Sequence, residues 1–170
     1  MGNRIRKDFF SRDVLEVAPE LLGKLIVRID DKGIPVYYRI TEVEAYRGEE
    51  DKACHASKGR TKRNDVMYWE GGHIYVYLIY GMYWMLNIVT GEKDNPQAIL
   101  IRGVECYDGP GKLTRKMNID KSFYGEDIYM SNRLWIEEDG HTADFIQTPR
   151  INVDYAGDYW KNKFWRYVVK

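Results

Sequence analysis

RITEVEAY, residues 39–46, is the stretch that decides the fold of this chain. Its side chains alternate and three of them are β-branched, which favours a strand over a helix. Glu42, Glu44 and Tyr46 stand two residues apart, so we expect all three on one face of the strand. A carboxylate buried beside aromatic rings suits general-base catalysis, whereas glutamates on the solvated edge of a sheet need no function. These residues alone favour the second interpretation.

The predicted strand is the returning half of a hairpin. Residues 25–29 and 34–46 have the pattern of paired strands, and the turn between them is Asp-Asp-Lys-Gly. Beyond it, residues 47–72 are polar and irregular, and a loop of this length in a compact domain is commonly functional. The loop contains His55 and a basic run, which is more often a solvated face than a binding site. That run is Lys58, Arg60, Lys62 and Arg63.

Three helical segments are predicted, over residues 12–17, 20–22 and 109–118. Ser11 is expected to cap the first, and Pro19 to occupy the first turn of the second. The third opens with Gly-Pro-Gly followed by Lys112, so its free amides and this lysine favour an anion.

An aromatic hairpin follows the long loop. Residues 73–80 and 82–90 are predicted strands joined at Tyr80-Gly81-Met82, and residues 98–104 form the next strand. Turns usually expose Gly, Asn, Asp or Ser, yet this one is flanked by aromatic rings. Rings at an exposed tip can stack on nucleic-acid bases or fill the space that a displaced base leaves.

The remaining segments complete the predicted sheet. Residues 120–131 indicate a loop or short helix, and residues 133–137, 148–156 and 164–169 indicate strands. We therefore predict one α+β domain over residues 1–170. It consists of a mixed, mostly antiparallel curved sheet, short flanking helices and a protruding aromatic β-hairpin.

Composition limits the classes of function. The 170 residues include 26 basic and 26 acidic ones, so a polyanion would have to bind a local cluster of charge. Cys54 and Cys106 are too few for a disulfide framework, and with the three histidines they lack metal-ligand spacing, so no metal and no cofactor are expected. No signal peptide or apolar run of membrane-spanning length is visible. We expect an intracellular protein that binds no membrane, in the cytoplasm or nucleoid of a prokaryote or the nucleus of a eukaryote.

Eight segments of the chain together resemble 3-methyladenine DNA glycosylases of the alkyladenine (AAG/MPG) type, in the order that family has. They are LLGKLIVRI at 21–29, ITEVEAY at 40–46, ED-A-H within 50–55, GRTKRN--M at 59–67, YVYLIYGMYWMLNIV at 75–89, ILIRGVE at 99–105, GPGKL at 109–113 and PRINVDYAGDYW at 149–160. The combination is far more specific than any one of these motifs.

The resemblance implies an enzyme that flips a damaged purine out of duplex DNA and hydrolyses its N-glycosidic bond. It places the general base on Glu44, and it gives Arg102 and the Ile151 backbone carbonyl the task of holding the attacking water. The base pocket it implies consists of Tyr46, His55, Tyr77 and Asn87. Tyr80 matches the side chain that intercalates into the vacated stack. Further expected DNA contacts are Met82, Tyr83, Lys112, Arg60 and Arg63.

The chain departs from the family pattern at several places, among them Lys62, where proline is usual, and Trp84, which is bulkier than the common residue. Only three residues separate Glu105 from Gly109, where the family commonly has a longer segment, and Asn152 stands where glycine is usual. The implied partner is double-stranded DNA with a damaged purine, bound by a monomer. Two alternatives remain: a catalytically silent module that binds distorted DNA, and a carbohydrate-active hydrolase that uses Glu42 and Glu44.

Overall fold

A long central strand organises the fold, which is described by a computed structural model over residues 2–170. The strands are β1 (Asn3–Arg4), β2 (Leu25–Ile29), β3 (Pro35–Arg47), β4 (Ile74–Ile79), β5 (Tyr83–Thr90), β6 (Gln97–Val104), β7 (Tyr107–Asp108), β8 (Leu134–Glu138), β9 (Phe145–Thr148) and β10 (Arg166–Val169). The helices are α1 (Lys7–Phe10), α2 (Val14–Leu21), α3 (Pro110–Lys116) and α4 (Asp158–Lys161). Short 3₁₀ turns lie at His55–Lys58, Asp65–Tyr68, Lys121–Phe123 and Asp154–Ala156.

Strand β3 joins the two parts of the sheet. The main strand order is β1-β8-β2-β3-β6-β5-β4, and every strand pair within residues 2–170 is antiparallel. The first half of β3 pairs with β2, while its second half has β6 on one side and β10 on the other. The protein is thus the single, mixed α+β domain with a mostly antiparallel sheet that the sequence predicts.

Two bulges decide which way the carboxylates of β3 point. Ile40 pairs with Val104 and Val43 with Ile101, but the register shifts on both sides of the intervening Glu42–Gly103 pair. Before the shift Ile40 is in the core, and after it Val43 is, so the core side changes from even to odd positions. A bulge inserts one residue and reverses the alternation beyond it. Without the bulge between Ile40 and Glu42, the even-numbered Glu42 and Glu44 would face the apolar core.

The first helices differ from the sequence prediction. Asp13, not Ser11, caps α2, because its side chain accepts a hydrogen bond from the Leu15 amide. Pro19 lies inside α2 near its end rather than in the first turn of a separate helix. The helix buries Val14, Val17, Ala18 and Leu21 and packs against β3.

The predicted strand over residues 148–156 is wrong. β9 ends at Thr148, and the chain continues through Pro149 and Arg150 into a 3₁₀ turn at Asp154–Ala156. Asn152 has a φ of 59°, which an extended strand does not contain. Between the predicted strands 148–156 and 164–169 lies α4.

The hairpin of β4 and β5 ends in a left-handed turn. Tyr80 and Gly81 have φ values of 51° and 65°, and the Met82 amide donates to the Ile79 carbonyl at 3.1 Å. Two consecutive positive φ values are the mark of the type I′ turn, which favours Asn-Gly. Tyr80 is 85% exposed, so its unusual backbone is not offset by burial of the ring.

Candidate active site

Glu44 is a fully buried carboxylate held by groups from three parts of the chain. Its Oε2 accepts a hydrogen bond from the Ile151 amide at 2.6 Å, and its Oε1 accepts one from the Tyr46 hydroxyl at 3.0 Å. Arg102 Nη1 lies 3.4 Å from the same Oε1. Both oxygens are therefore oriented by donors that approach from different directions.

Arg102 is itself aligned by Glu42. Its Nε donates to Glu42 Oε1 at 3.0 Å, and Arg166 Nε donates to the same oxygen at 2.6 Å. Arg102 is the extra residue of the bulge in β6, and the neighbouring Gly103 lets Glu42 approach closely. A Cβ at Gly103 would lie 3.2 Å from Glu42 Cβ. Glu42 therefore links Arg102 to the C-terminal strand.

Burial governs the protonation of Glu44. Loss of water contact raises the pKa of this carboxyl above its ordinary value of 4.5, and the charge of Arg102 and the hydrogen bonds from Ile151 and Tyr46 limit the rise. A carboxylate with a raised pKa is a stronger base than an exposed one.

The Ile151 backbone reaches Glu44 through its N–H group. The water contact that the resemblance assigns to the Ile151 carbonyl stays a prediction. The next residue, Asn152, adopts the left-handed φ that a glycine would otherwise supply. Asparagine tolerates this region better than most residues. The departure from the family pattern at position 152 therefore leaves the backbone turn intact.

A recess with a cavity volume of about 40 Å³ lies beside Tyr46. All four residues predicted for the base pocket line it, namely Tyr46, His55, Tyr77 and Asn87. The other lining residues are Ala53, Met67, Tyr75, Ala98 and Tyr155. The hydroxyl of Tyr46 connects the recess to Glu44.

His55 is held as a neutral ring in this recess. Its Nδ1 is 2.8 Å from the Tyr75 hydroxyl, and its ring centroid is 4.4 Å from that of Tyr77. Burial, with a smaller contribution from Arg63, lowers the pKa of His55 to about 4. Asn87 is fixed on the opposite strand because its Nδ2 donates to the Tyr75 carbonyl at 3.1 Å. At neutral pH the recess thus offers aromatic faces and uncharged polar groups.

Cationic groups flank the aromatic hairpin on both sides. Beside β4, Arg63 donates to the Leu78 carbonyl at 3.1 Å and lies over the Tyr77 ring. Beside β5, Arg115 of α3 lies 5.6 Å from the Tyr83 ring centroid. The predicted DNA contact Lys112 is exposed on the same helix, and Met82 is 60% exposed at the tip.

Arg60 differs from Arg63 in its charge balance. Arg60 forms ion pairs with Asp65 at 2.7 Å and with Asp94 at 3.3 Å. Within residues 2–170, no carboxylate lies within 4 Å of the Arg63 guanidinium. Of the two arginines predicted to contact DNA, only Arg63 therefore has its charge free.

Sequence reasoning missed an internal ion pair below the recess. The side chains of Asp51 and Arg150 are both 0% exposed and are joined by two hydrogen bonds, of 2.6 and 2.9 Å. Both residues fall in segments that carry the family resemblance, but nothing in the local pattern shows that they meet. Tyr75 and Tyr155, also missed, complete the wall of the recess.

Within residues 2–170, no three His, Cys, Asp or Glu side chains converge as a metal site would require. No helix in the same range has the length and apolar character needed to cross a bilayer.

Comparison of the sequence with known proteins identifies its family. The sequence model of the methylpurine-DNA glycosylase (MPG) family matches residues 8–108 and 104–170. A relative from Natranaerobius thermophilus is 38% identical over 187 residues, which cover 96% of this chain and 93% of the relative. One from Methanocella arvoryzae is 45% identical, over 89% of this chain and 86% of its own. One from Borreliella afzelii is 46% identical, over 95% and 94%. All three are provisionally named 3-methyladenine DNA glycosylases. This chain belongs to the methylpurine-DNA glycosylase family of DNA-repair enzymes.

Proposed function

We propose that the protein flips alkylated or deaminated purines out of duplex DNA and hydrolyses their N-glycosidic bond with a water that Glu44 activates. The observation that carries the proposal is the buried carboxylate, oriented by Arg102, Tyr46 and the Ile151 amide and linked through Tyr46 to a recess lined by aromatic rings. A base within a duplex is stacked and paired, so the nucleotide must leave the helix to reach such a recess.

The reaction needs only what these side chains supply. As the C1′–N bond breaks, its electron pair leaves with the purine and positive charge develops on the sugar. A water attacks C1′ and gives its proton to Glu44, whose negative charge also opposes the developing charge. Arg102 and the Ile151 backbone keep the carboxylate and the water in line. A purine alkylated at N3 or N7 is already cationic, so it departs as a neutral base, whereas hypoxanthine departs as an anion that takes up one proton from solvent.

The recess is suited to holding the flipped base. The rings of Tyr46, His55 and Tyr77 offer stacking surfaces, and the neutral state of His55 lets a cationic alkylated purine enter without charge repulsion. Asn87, fixed by its bond to the Tyr75 carbonyl, would oppose the exocyclic amino group of guanine. Selection would follow from this shape and from the stronger leaving tendency of damaged purines.

The exposed hairpin supplies a replacement for the flipped base. Tyr80 projects from a turn between two cationic flanks, and inserting a ring between base pairs costs less when phosphates are neutralised nearby. Met82 and Tyr83 on the same hairpin would contact the neighbouring bases, and Lys112 a phosphate. We infer that the protein acts as a monomer on one damaged site at a time.

A glycosidase that uses both Glu42 and Glu44 as its catalytic carboxylates is less well supported. Glu42 Oε1 already accepts hydrogen bonds from Arg102 and Arg166, so its carboxylate serves to hold these cations.

The test is base release from a duplex that contains one hypoxanthine or one 3-methyladenine, read as alkali-induced strand breaks at the abasic site. We expect Glu44→Gln to lower the single-turnover rate by about 10²- to 10⁴-fold, the usual contribution of a general base. Glu50→Gln, the same change at an exposed position, is the matched control and should release base normally. Cleavage by Glu44→Gln at the parent rate contradicts the proposal, and binding without any cleavage by the parent favours a silent DNA-binding module.

A further inference from the structure

The Asp51–Arg150 ion pair is buried more completely than a stabilising role requires. Both side chains are 0% exposed, and Arg150 Nε is a buried donor without a hydrogen-bond partner. A buried ion pair usually adds little net stability over apolar side chains of the same size, and an unsatisfied donor adds a cost. Its location therefore calls for another explanation than stability.

The pair joins the segments that position Glu44, the candidate general base. Arg150 Nη1 donates to the carbonyl of Ala45, the residue between Glu44 and Tyr46, at 3.0 Å. Its guanidinium carbon lies 4.8 Å from the Tyr46 ring centroid. The residue after Arg150 is Ile151, whose amide donates to Glu44.

Asp51 fixes the other side of the same arrangement. Its Oδ2 accepts a hydrogen bond from the Arg47 amide at 3.1 Å, at the end of β3, and its Oδ1 accepts one from the Ala53 amide at 3.0 Å. Ala53 lines the recess. One bidentate contact thus joins the end of β3, the wall of the recess and the Ile151 amide.

We propose that Asp51 and Arg150 are positioning residues for base excision, which align the Ile151 amide and Tyr46 on the Glu44 carboxylate and balance each other's charge beside it. The inference rests on the proposed function, because it assumes that Glu44 is the general base. Neither residue touches the recess, so the pair acts through Glu44 rather than on the substrate.

Charge balance gives the proposal a signature that a structural role lacks. Arg102 from β6, Tyr46 from its own strand and Arg150 from the segment before α4 act directly on Glu44. Tyr77 of β4 and Tyr155 also interact with its charge, Arg166 of β10 lies opposite it and is paired with Glu42, and Glu42 reaches it through Arg102. If Asp51 is neutralised, the uncompensated Arg150 cation favours the ionised form of Glu44. If Arg150 is neutralised, the Asp51 carboxylate disfavours it. The two changes must therefore move the acid limb of the rate profile in opposite directions.

The experiment is the single-turnover rate of hypoxanthine release between pH 4 and 8, with the folded state of each variant checked by circular dichroism. We expect Asp51→Asn to move the acid limb to lower pH and Arg150→Gln to move it to higher pH, each by about half a unit or more. The double variant should return the acid limb close to its original position. Its rate should stay about tenfold or more below that of the parent, because the bidentate contact between the two side chains is lost. Arg150→Lys should keep the limb and lower the rate.

The outcomes separate this inference from the proposed function. If the parent releases no base, or Glu44→Gln releases it equally fast, the proposed function fails first. If release depends on Glu44 but the two single variants shift the limb in the same direction or leave it in place, the positioning role is refuted. Should one single variant not fold, the other decides: an acid limb that moves in its predicted direction supports the inference, and one that stays in place overturns it. Should neither fold, parental rates in the double variant and in Arg150→Lys overturn the inference.

Discussion

Replacing Tyr80 with asparagine should stabilise the protein and weaken its binding to damaged DNA. Tyr80 has a φ of 51° in a turn whose next residue, Gly81, is also left-handed. A left-handed backbone costs an ordinary residue about 1–2 kcal/mol, while asparagine adopts it readily and Asn-Gly is a preferred pair for this turn. The ring is 85% exposed, so the folded protein loses little packing when it is removed.

The two effects can be given magnitudes. A gain of about 1 kcal/mol raises the melting temperature of a domain of this size by roughly 2–4 °C. Stacking of an aromatic side chain on a base contributes about 1–3 kcal/mol, so Tyr80→Asn should weaken binding to lesion DNA by about 5- to 140-fold. Thermal unfolding measures the first effect. Fluorescence anisotropy on a hypoxanthine duplex, in a Glu44→Gln background that does not consume the DNA, measures the second.

Tyr80→Phe is the control for this pair of measurements. It keeps the ring and the backbone strain, so both the melting temperature and the DNA affinity should stay near those of the parent. A lower melting temperature for Tyr80→Asn would show that the turn is not strained. Unchanged DNA affinity would show that Tyr80 does not enter the stack.

Three further predictions concern the carboxylate, the cations and the backbone. Burial raises the pKa of Glu44, and its ionised form is the general base, so the rate of purine release should fall as the pH drops through a midpoint above 4.5. His55, with a pKa of about 4, should add no transition between pH 5 and 8. Rate profiles of the parent protein against pH measure both. Arg63→Gln should reduce the slope of log affinity against log salt concentration by about 1. Arg60→Gln should change the slope less, because Arg60 is already paired with Asp65 and Asp94. Equal slopes for the two variants would contradict this difference. Asn152→Gly should keep purine release near the parent rate. Asn152→Val places a β-branched residue at a φ of 59° and should lower both the melting temperature and the rate. Normal release by the valine variant would show that the backbone at this turn does not position Glu44.

Periodicity was enough to find most of the sheet. The strands that correspond to β2, β3, β4, β5 and β6 are predicted within one or two residues of their bounds, because alternating and β-branched side chains report a half-buried sheet directly. The segment after Phe145 was misread, since the left-handed turn at Asn152 and the short α4 interrupt a sequence rich in strand-forming residues. Local propensity carries no information about which of these the tertiary contacts favour.

The site was visible in part. Strand alternation places Glu42 and Glu44 on one face, but it cannot show that the bulge beside Glu42 turns that face away from the core. The resemblance to the family brings together Tyr46, His55, Tyr77 and Asn87, and the structure places them around one recess. The Asp51–Arg150 pair joins residues 99 positions apart, and each residue alone looks like an ordinary surface charge. Such long-range partners leave no trace in spacing or composition.

The position of Glu44 in β3 has a consequence for how the molecule opens. Around this residue the strand is bonded to β6 on one edge and to β10 on the other, so the local backbone cannot separate without breaking both ladders. Amide protons at Val43 to Ala45 should exchange with solvent only through global unfolding, while those at the Tyr80 turn exchange through local fluctuation. Chemistry would thus reside in the most slowly exchanging part of the protein, and the search for damage in one of the fastest.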